Sequence, residues 1–243
     1  MIGNKIIKLE QTESTNRYAS FLLKNNQIEN GTIVRADYQT SGTGHSGSKW
    51  ESDSGENLLF SIVLTDCHIE IENHFYLSKF VCIALCKYVR DYIPDTYIKW
   101  PNDIISNHNK ISGILIENSV MQSQIKTSII GIGLNVNQEL FSKKTNATSL
   151  KLEIKDQLDL NDILQSMLTY FDNELQLLLD NNFKKLDRQY IDMLFRYNIW
   201  AQYKMKDHVF KGKIIDIAPT GELVMENEKG EILYFGFKEI VFL

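Results

Sequence analysis

Clustered basic charge, long apolar runs and paired cysteines are all missing from this sequence of 243 residues. Asp and Glu number 31 against 26 Lys and Arg, a formal net charge of −5. A phosphate-backbone footprint needs the reverse, with Lys and Arg gathered on one face, so nucleic acid is not an expected partner. No apolar stretch approaches the roughly 20 residues of a membrane-spanning helix, so no membrane partner is expected either. The opening residues MIGNKIIKLEQTES carry neither a long apolar segment nor a small-residue cleavage site and do not read as a secretory signal. Cys67, Cys82 and Cys86 are odd in number and form no ladder of spacings, which argues against a disulfide framework and fits a reducing, cytoplasmic setting. With 13 Gly and 3 Pro, the chain is neither collagen-like nor dominated by linkers.

What is present is ordinary globular composition, 43% hydrophobic and 23% charged. The length suits one large domain, or one large and one small. No internal repeat or low-complexity tract appears. Residues 4–10 alternate like a short strand. Glu13-Ser14-Thr15-Asn16 then precede RYASFLLKN, where Ser14 or Thr15 is expected to cap a helix by accepting from its first free N–H groups. Residues 31–38 read as a strand, and 57–65 (NLLFSIVLT) are apolar enough for a central one. Residues 74–93 repeat apolar side chains at helical spacing. Cys82 and Cys86 share a face of that helix and read as core residues, since no second pair exists to complete a metal site. YIKW, DIISN and KISGILIEN are strand-like, the last two joined at Asn107-His108-Asn109. TSIIGIGLNVN is another strand, and 160–196 hold two helices. After Trp200 the texture changes to short strands separated by turn residues. The expected fold is therefore α+β: a mixed β-sheet domain backed by helices over 1–196, then a small β-barrel domain over 197–243.

Two clusters carry chemistry. Gly42-Thr43-Gly44-His45-Ser46-Gly47 matches G-x-G-x-x-G, yet no helix opens after it, so a dinucleotide fold is not indicated. Its glycines permit backbone N–H groups to converge on an anion, with Lys49 adding positive charge and Trp50 a flat apolar face. The second cluster is Lys99-Trp100-Pro101-Asn102-Asp103. Pro101 restricts Trp100 to extended backbone and so directs Asn102 and Asp103. Lys110 follows just past a turn. Gly113 sits within a strand, where a side chain would crowd anything bound above the sheet.

Together, Gln39 through Trp50, KWPND at 99–103, KISGILIE at 110–117 and GIGLNVN at 131–137 resemble biotin–protein ligases, also called biotin–[acetyl-CoA-carboxylase] ligases. The resemblance runs over roughly 8–150, with ESTN at 13–16 and ATSL at 147–150 in the same order. It implies a two-step reaction in which biotin and ATP give biotinyl-5′-adenylate and pyrophosphate, and a carrier-domain lysine then takes the biotin. ATP and Mg2+ are the implied co-substrate and metal, and a biotin carboxyl carrier domain the implied partner. The protein is expected as a monomer or a homodimer. Because the pattern starts so early, the resemblance is to the short form without an N-terminal DNA-binding domain.

By position, Lys110 is the implied catalytic residue, touching the biotin carboxylate and the bridging phosphate oxygen. Ser14, Thr15, Asn16, Gln39, Thr43, Gly44, His45, Gly113 and Gly133 are implied on the biotin side. Gly42, Gly47, Trp50, Asn102 and Asn135 are implied on the adenylate side. No metal ligands are assigned. Family members have arginine-rich glycine loops of the form G-R-G-R-x-G-R-x-W; here Thr43, His45 and Ser48 stand in those places. Because an arginine fork gives permanently charged bidentate contacts, their loss predicts an active enzyme that releases its intermediate more readily. The alternatives are a lipoate- or octanoate-type ligase or transferase, and a non-catalytic biotin-binding protein.

Overall fold

The computed structural model describes residues 1–44, 47–142 and 146–243. Two sheets organise the chain. The larger has seven strands: β1 (Ile6–Thr12), β2 (Ile33–Gln39), β3 (Asn57–Glu70), β4 (Thr96–Lys99), β5 (Asp103–Ser106), β6 (Asn109–Met121) and β7 (Gln124–Asn135), in the order β1-β2-β3-β7-β6-β5-β4. β1 runs parallel to β2 and the other neighbours are antiparallel, so the sheet is mixed. As its apolar run foretells, β3 is internal, flanked by β2 and β7.

Side-chain alternation splits the sheet into two cores. Ile33, Ile62 and Ile130 belong to the large core against α2 (Phe75–Arg90), α4 (Leu160–Leu179) and α5 (Phe183–Asp192). Their immediate neighbours Val34, Val63 and Ile129 belong to a small cluster with Ala19 and Leu22 of α1 (Thr15–Lys24), on the other face. The site forms on this second face. A short helix, α3 (Leu150–Ile154), was not anticipated from the sequence; Ser149 caps it by accepting from the Leu152 amide.

The small unit is a five-stranded antiparallel sheet made of β8 (Trp200–Met205), β9 (His208–Ile217), β10 (Leu223–Asn227), β11 (Ile232–Phe235) and β12 (Val241–Phe242), ordered β11-β10-β9-β8-β12. The expected division between 196 and 197 falls in the connection from α5 to β8, and we propose it as the domain boundary. Hydrogen bonds cross this connection: the Phe195 amide donates to Ile98 O at 2.8 Å, and the Asn198 amide to Ile214 O at 2.8 Å. Trp100 Nε1 donates to Gly221 O at 2.8 Å, joining KWPND to a turn of the small sheet.

One local expectation is corrected. Ser14 stands at the N-cap of α1 with extended backbone, but its side chain makes no capping bond. The Gln39 carboxamide caps instead, its Oε1 accepting from the Thr15 amide at 2.7 Å and from Thr15 Oγ1 at 3.1 Å. Cys82 and Cys86 are buried core residues, as expected; burial pushes the Cys82 thiol well up and the Cys86 thiol up to about 12.

Candidate active site

Cross-strand register places Ala36, Leu59, Gly133, Gly113, Asp103 and Lys99 directly opposite one another in a single row across β2, β3, β7, β6, β5 and β4. The adjacent row is Val34, Ser61, Gly131 and Leu115. Residues paired in this way share a face. The α1 face, apolar at Val34, Val63 and Ile129, thus becomes glycine-lined and polar toward one end.

Those glycines create space. A Cβ at Gly133 would lie 2.4 Å from Trp50 Cε2, and one at Gly131 would lie 2.4 Å from Asn16 Oδ1. A Cβ at Gly113 would meet Lys110 Cε at 2.9 Å and Trp50 Cζ3 at 3.0 Å. The indole of Trp50 therefore lies on the glycine floor, with the Lys110 ammonium beside it, 5.5 Å from the ring centroid. Trp50 Nε1 is buried without a hydrogen-bond partner among the described residues.

Lys110 reaches this face through a register slip. Strict alternation would put it on the helix-packed face with Ser112 and Ile114. Between Ile104 and Ile105 the pairing of β5 with β6 shifts by one, so that Lys110 falls opposite Ile105 and turns toward the cavity. Its backbone is clamped by the loop after β7: its amide donates to Asn146 O at 2.7 Å and its carbonyl accepts from the Thr148 amide at 2.9 Å. Its ammonium pairs with Asp103 Oδ1 at 2.6 Å.

The resulting cavity, roughly 370 Å3, is lined by Ser14, Thr15, Asn16 and Gln39 on one side. Thr43, Gly44, Ser48 and Trp50 of the glycine loop cover it, and Asn102, Asp103, Lys110, Gly113 and Gly133 form its floor. Ten of the expected positions, together with the expected tryptophan, thus converge here: Ser14, Thr15, Asn16, Gln39, Thr43, Gly44, Trp50, Asn102, Lys110, Gly113 and Gly133. Gly42, Gly47 and Asn135 do not line it. Gly42 packs beside Gln39 Nε2 and the Trp50 carbonyl, while Gly47 faces open space. Asn135 is buried and donates from Nδ2 to Thr148 O at 2.9 Å, holding the clamp on Lys110. His45 lies outside the described residues.

The glycine loop is also not the open anion nest its composition suggested. It closes as a small hairpin: the Gly44 amide donates to Ser48 O at 2.6 Å and the Trp50 amide to Gly42 O at 3.0 Å. Those two donors are engaged within the loop.

Several lining residues were not among the expected set. Lys99 and Asp103 face the cavity from the same row as the glycines. Burial lowers the Lys99 pKa, with further lowering by Arg196 and Lys110 against the opposing pull of Asp103. Phe237, Lys238, Ile240, Val241 and Phe242 come from the C-terminal strand region. Lys99 Nζ stands 5.4 Å from the Phe242 ring centroid, and Phe237 packs edge-on to Trp100 at 5.4 Å. Sequence distance hides this convergence; only the motif KWPND marked one side of it. Among the described residues that line it, the cavity thus presents three lysines, Lys99, Lys110 and Lys238, against the single carboxylate of Asp103. That balance suits a polyanionic occupant.

Comparison with known proteins agrees with this geometry. Residues 9–135 match the model of the Biotin/lipoate A/B protein ligase family. The bifunctional ligase/repressor BirA of Bacillus subtilis is 28% identical over 235 residues, covering 95% of this chain and 72% of that one. The biotin–[acetyl-CoA-carboxylase] ligase of Mycobacterium tuberculosis is 29% identical over 144 residues, 58% of this chain and 52% of its own length. Among solved structures, the biotin protein ligase of Aquifex aeolicus in complex with biotin and ATP superimposes with a TM-score of 0.80 at 25% identity, covering 98% of each chain.

Proposed function

The chain belongs to the biotin/lipoate A/B protein ligase family, and from that premise we propose that its cavity joins biotin to ATP and passes the biotin on to a lysine of a carboxylase carrier domain. The protein is an ATP-dependent biotin–protein ligase, in line with its relatives and with the biotin- and ATP-bound neighbour. The observation that carries the site assignment is the Lys110 ammonium standing over Gly113, between the glycine floor and Asp103, in one cavity with the loop tryptophan.

In the first step a carboxylate oxygen of biotin attacks the α-phosphorus of ATP, the bond to the β-phosphate bridging oxygen breaks, and pyrophosphate leaves. Two anions must approach. At 4 Å and an effective dielectric near 20, like unit charges repel by about 4 kcal/mol, so the site has to supply positive charge. Lys110 does so without forming a covalent bond, exchanging Asp103 for the incoming oxygens and stabilising charge in the transition state. Lys99 and Lys238 line the same cavity and suit the remaining phosphates. In the second step the carrier lysine amine attacks the acyl carbon, an amide forms, and AMP departs as the amine loses its proton.

A magnesium ion takes oxygen ligands, usually one or two carboxylates together with the nucleotide's phosphates. Among the described residues, Asp103 is the one carboxylate of the cavity lining, and no cluster of three or more His, Cys, Asp or Glu side chains could hold a metal. Asp103 is the residue that would hold such an ion, and the ion, when bound, would neutralise phosphate charge.

Biotin-dependent ATP–pyrophosphate exchange, followed by transfer to a purified carrier domain, tests the assignment. Exchange that responds to lipoate and not to biotin would overturn it. Stabilisation by biotin with no exchange at all would favour a non-catalytic binder.

A further inference from the structure

We infer that Glu117 and Ser61, neither of which lines the cavity, are positioning residues that set the hydrogen-bond polarity of its Ser14–Asn16 wall; this rests on the biotin reading above. Asn16 Nδ2 donates to Glu117 Oε2 at 2.7 Å and more weakly to Leu115 O at 3.4 Å. A carboxylate only accepts, so Glu117 holds the amide nitrogen outward and turns Asn16 Oδ1 inward. That oxygen lies 2.7 Å from Ser61 Oγ, which is also 2.8 Å from Thr15 Oγ1. Gly131, opposite Ser61 in the register, has no Cβ to obstruct Asn16.

Ser61 has one hydroxyl hydrogen and two acceptors within reach. An inward Asn16 oxygen draws that hydrogen and leaves acceptor capacity on Thr15 Oγ1. At the other end, Gln39 Oε1 faces the Thr15 amide and hydroxyl, so the Gln39 carboxamide nitrogen is turned away from the helix and is left to donate. The wall then offers an accepting oxygen beside a donating nitrogen, the complement of a cyclic urea with its N–H and C=O side by side. Were Asn16 to flip, its nitrogen would donate to Ser61, the Ser61 hydrogen would pass to Thr15, and that complement would be lost. A buried polar chain of this kind works as a unit, since each bond fixes the direction of the next.

Glu117 is exposed, so its substitution tests the relay without opening the core. Glu117→Gln, which can donate as well as accept, and Glu117→Ala should each raise the biotin KM about tenfold, the worth of one well-placed hydrogen bond. The KM for ATP should stay unchanged. Preference for biotin over 2-iminobiotin, whose guanidine group replaces the urea carbonyl by donors, should fall by a similar factor. Ser61→Ala removes the hydroxyl hydrogen that competes for Thr15 Oγ1, so Glu117→Gln/Ser61→Ala should regain preference lost in Glu117→Gln, and Glu117→Gln/Ser61→Thr, which keeps the hydroxyl, should not. An unchanged biotin-to-iminobiotin ratio in Glu117→Gln, or a Glu117→Gln/Ser61→Ala variant no better than Glu117→Gln alone, would overturn the inference, whatever happens to Tm. A wild-type protein that is not stabilised by biotin would instead overturn the activity assignment on which it rests.

Discussion

Replacing Lys110 by Ala separates a catalytic charge from a structural one. The lysine's partner is Asp103, at 2.6 Å, with side chains 36% and 28% exposed. An ion pair open to water to that extent contributes about 0–1 kcal/mol. For a chain of this size 1 kcal/mol moves Tm by about 2–4 °C, so the variant should fold and melt within a few degrees of wild type. The reaction should suffer far more. Removing one preorganised donor from developing negative charge typically costs about 2.7–4 kcal/mol, or roughly 10²–10³ in rate. Lys110→Ala also leaves the Asp103 carboxylate without its ion-pair partner on the floor where two anions must meet. Its repulsion adds to the loss, at about 4 kcal/mol per close pair for an effective dielectric near 20. Biotin-dependent ATP–pyrophosphate exchange should therefore fall by at least about a hundredfold, the lower end of one donor's worth. Exchange within about tenfold of wild type in the folded variant would refute the role of Lys110.

Gly133→Ala would set a Cβ 2.4 Å from the Trp50 indole, which must leave the floor; stabilisation by biotin in a thermal shift assay should be largely lost while the far-UV circular dichroism is kept. Asp159 caps α4 by accepting from the Asn161 and Asp162 amides, bonds that hold its carboxyl below the ordinary 3.8. Its contribution is thus present above that value and disappears as pH falls through the depressed one, so Asp159→Ala should lower Tm at pH 7 and the two proteins should converge in strong acid. Lys99 carries the opposite sign: burial lowers its pKa, so charged Lys99 costs stability near neutrality and the cost is relieved as pH rises from the lowered value toward the ordinary 10.5. Lys99→Met should therefore be relatively more stable than wild type at pH 7, with the advantage shrinking on approach to pH 10.5 in parallel melting curves.

Much of this architecture is legible locally. The 74–93 periodicity gave α2, the apolar NLLFSIVL gave an internal strand, and the Asn107-His108 turn, both residues left-handed with φ of 47° and 67°, joins the strands it was expected to join. KWPND and the KxxG spacing marked Lys110 and Gly113 because both signals lie within a few residues. What stayed hidden depends on register between distant strands. Nothing local announces that β5 and β6 slip by one at Ile105, yet that slip decides which face Lys110 occupies. Nor does the sequence show that Gln39, 24 residues beyond Thr15, replaces Ser14 as the helix cap. The hairpin closure of the glycine loop was missed because its composition permits both an open nest and a turn, and backbone bonding chooses between them.

The cavity is best understood as side-chain volume withheld from a sheet face that is otherwise packed. Toward one end, Val34, Val63 and Ile129 meet α1 and exclude water. Two residues along β7 from Ile129 the same face carries Gly131, and two further along Gly133, with Gly113 opposite the latter on β6. Each missing side chain admits a particular group: Asn16 at the first, the Trp50 indole at the second, the Lys110 ammonium at the third. Because Gly133 and Gly113 share their row with Asp103 and Lys99, whatever displaces the indole from the floor lies beside both an amine and a carboxylate. Binding space and reacting charge are therefore set by one register. A substitution that shifts the pairing of β5 with β6 should abolish adenylate formation even if every lining residue is retained.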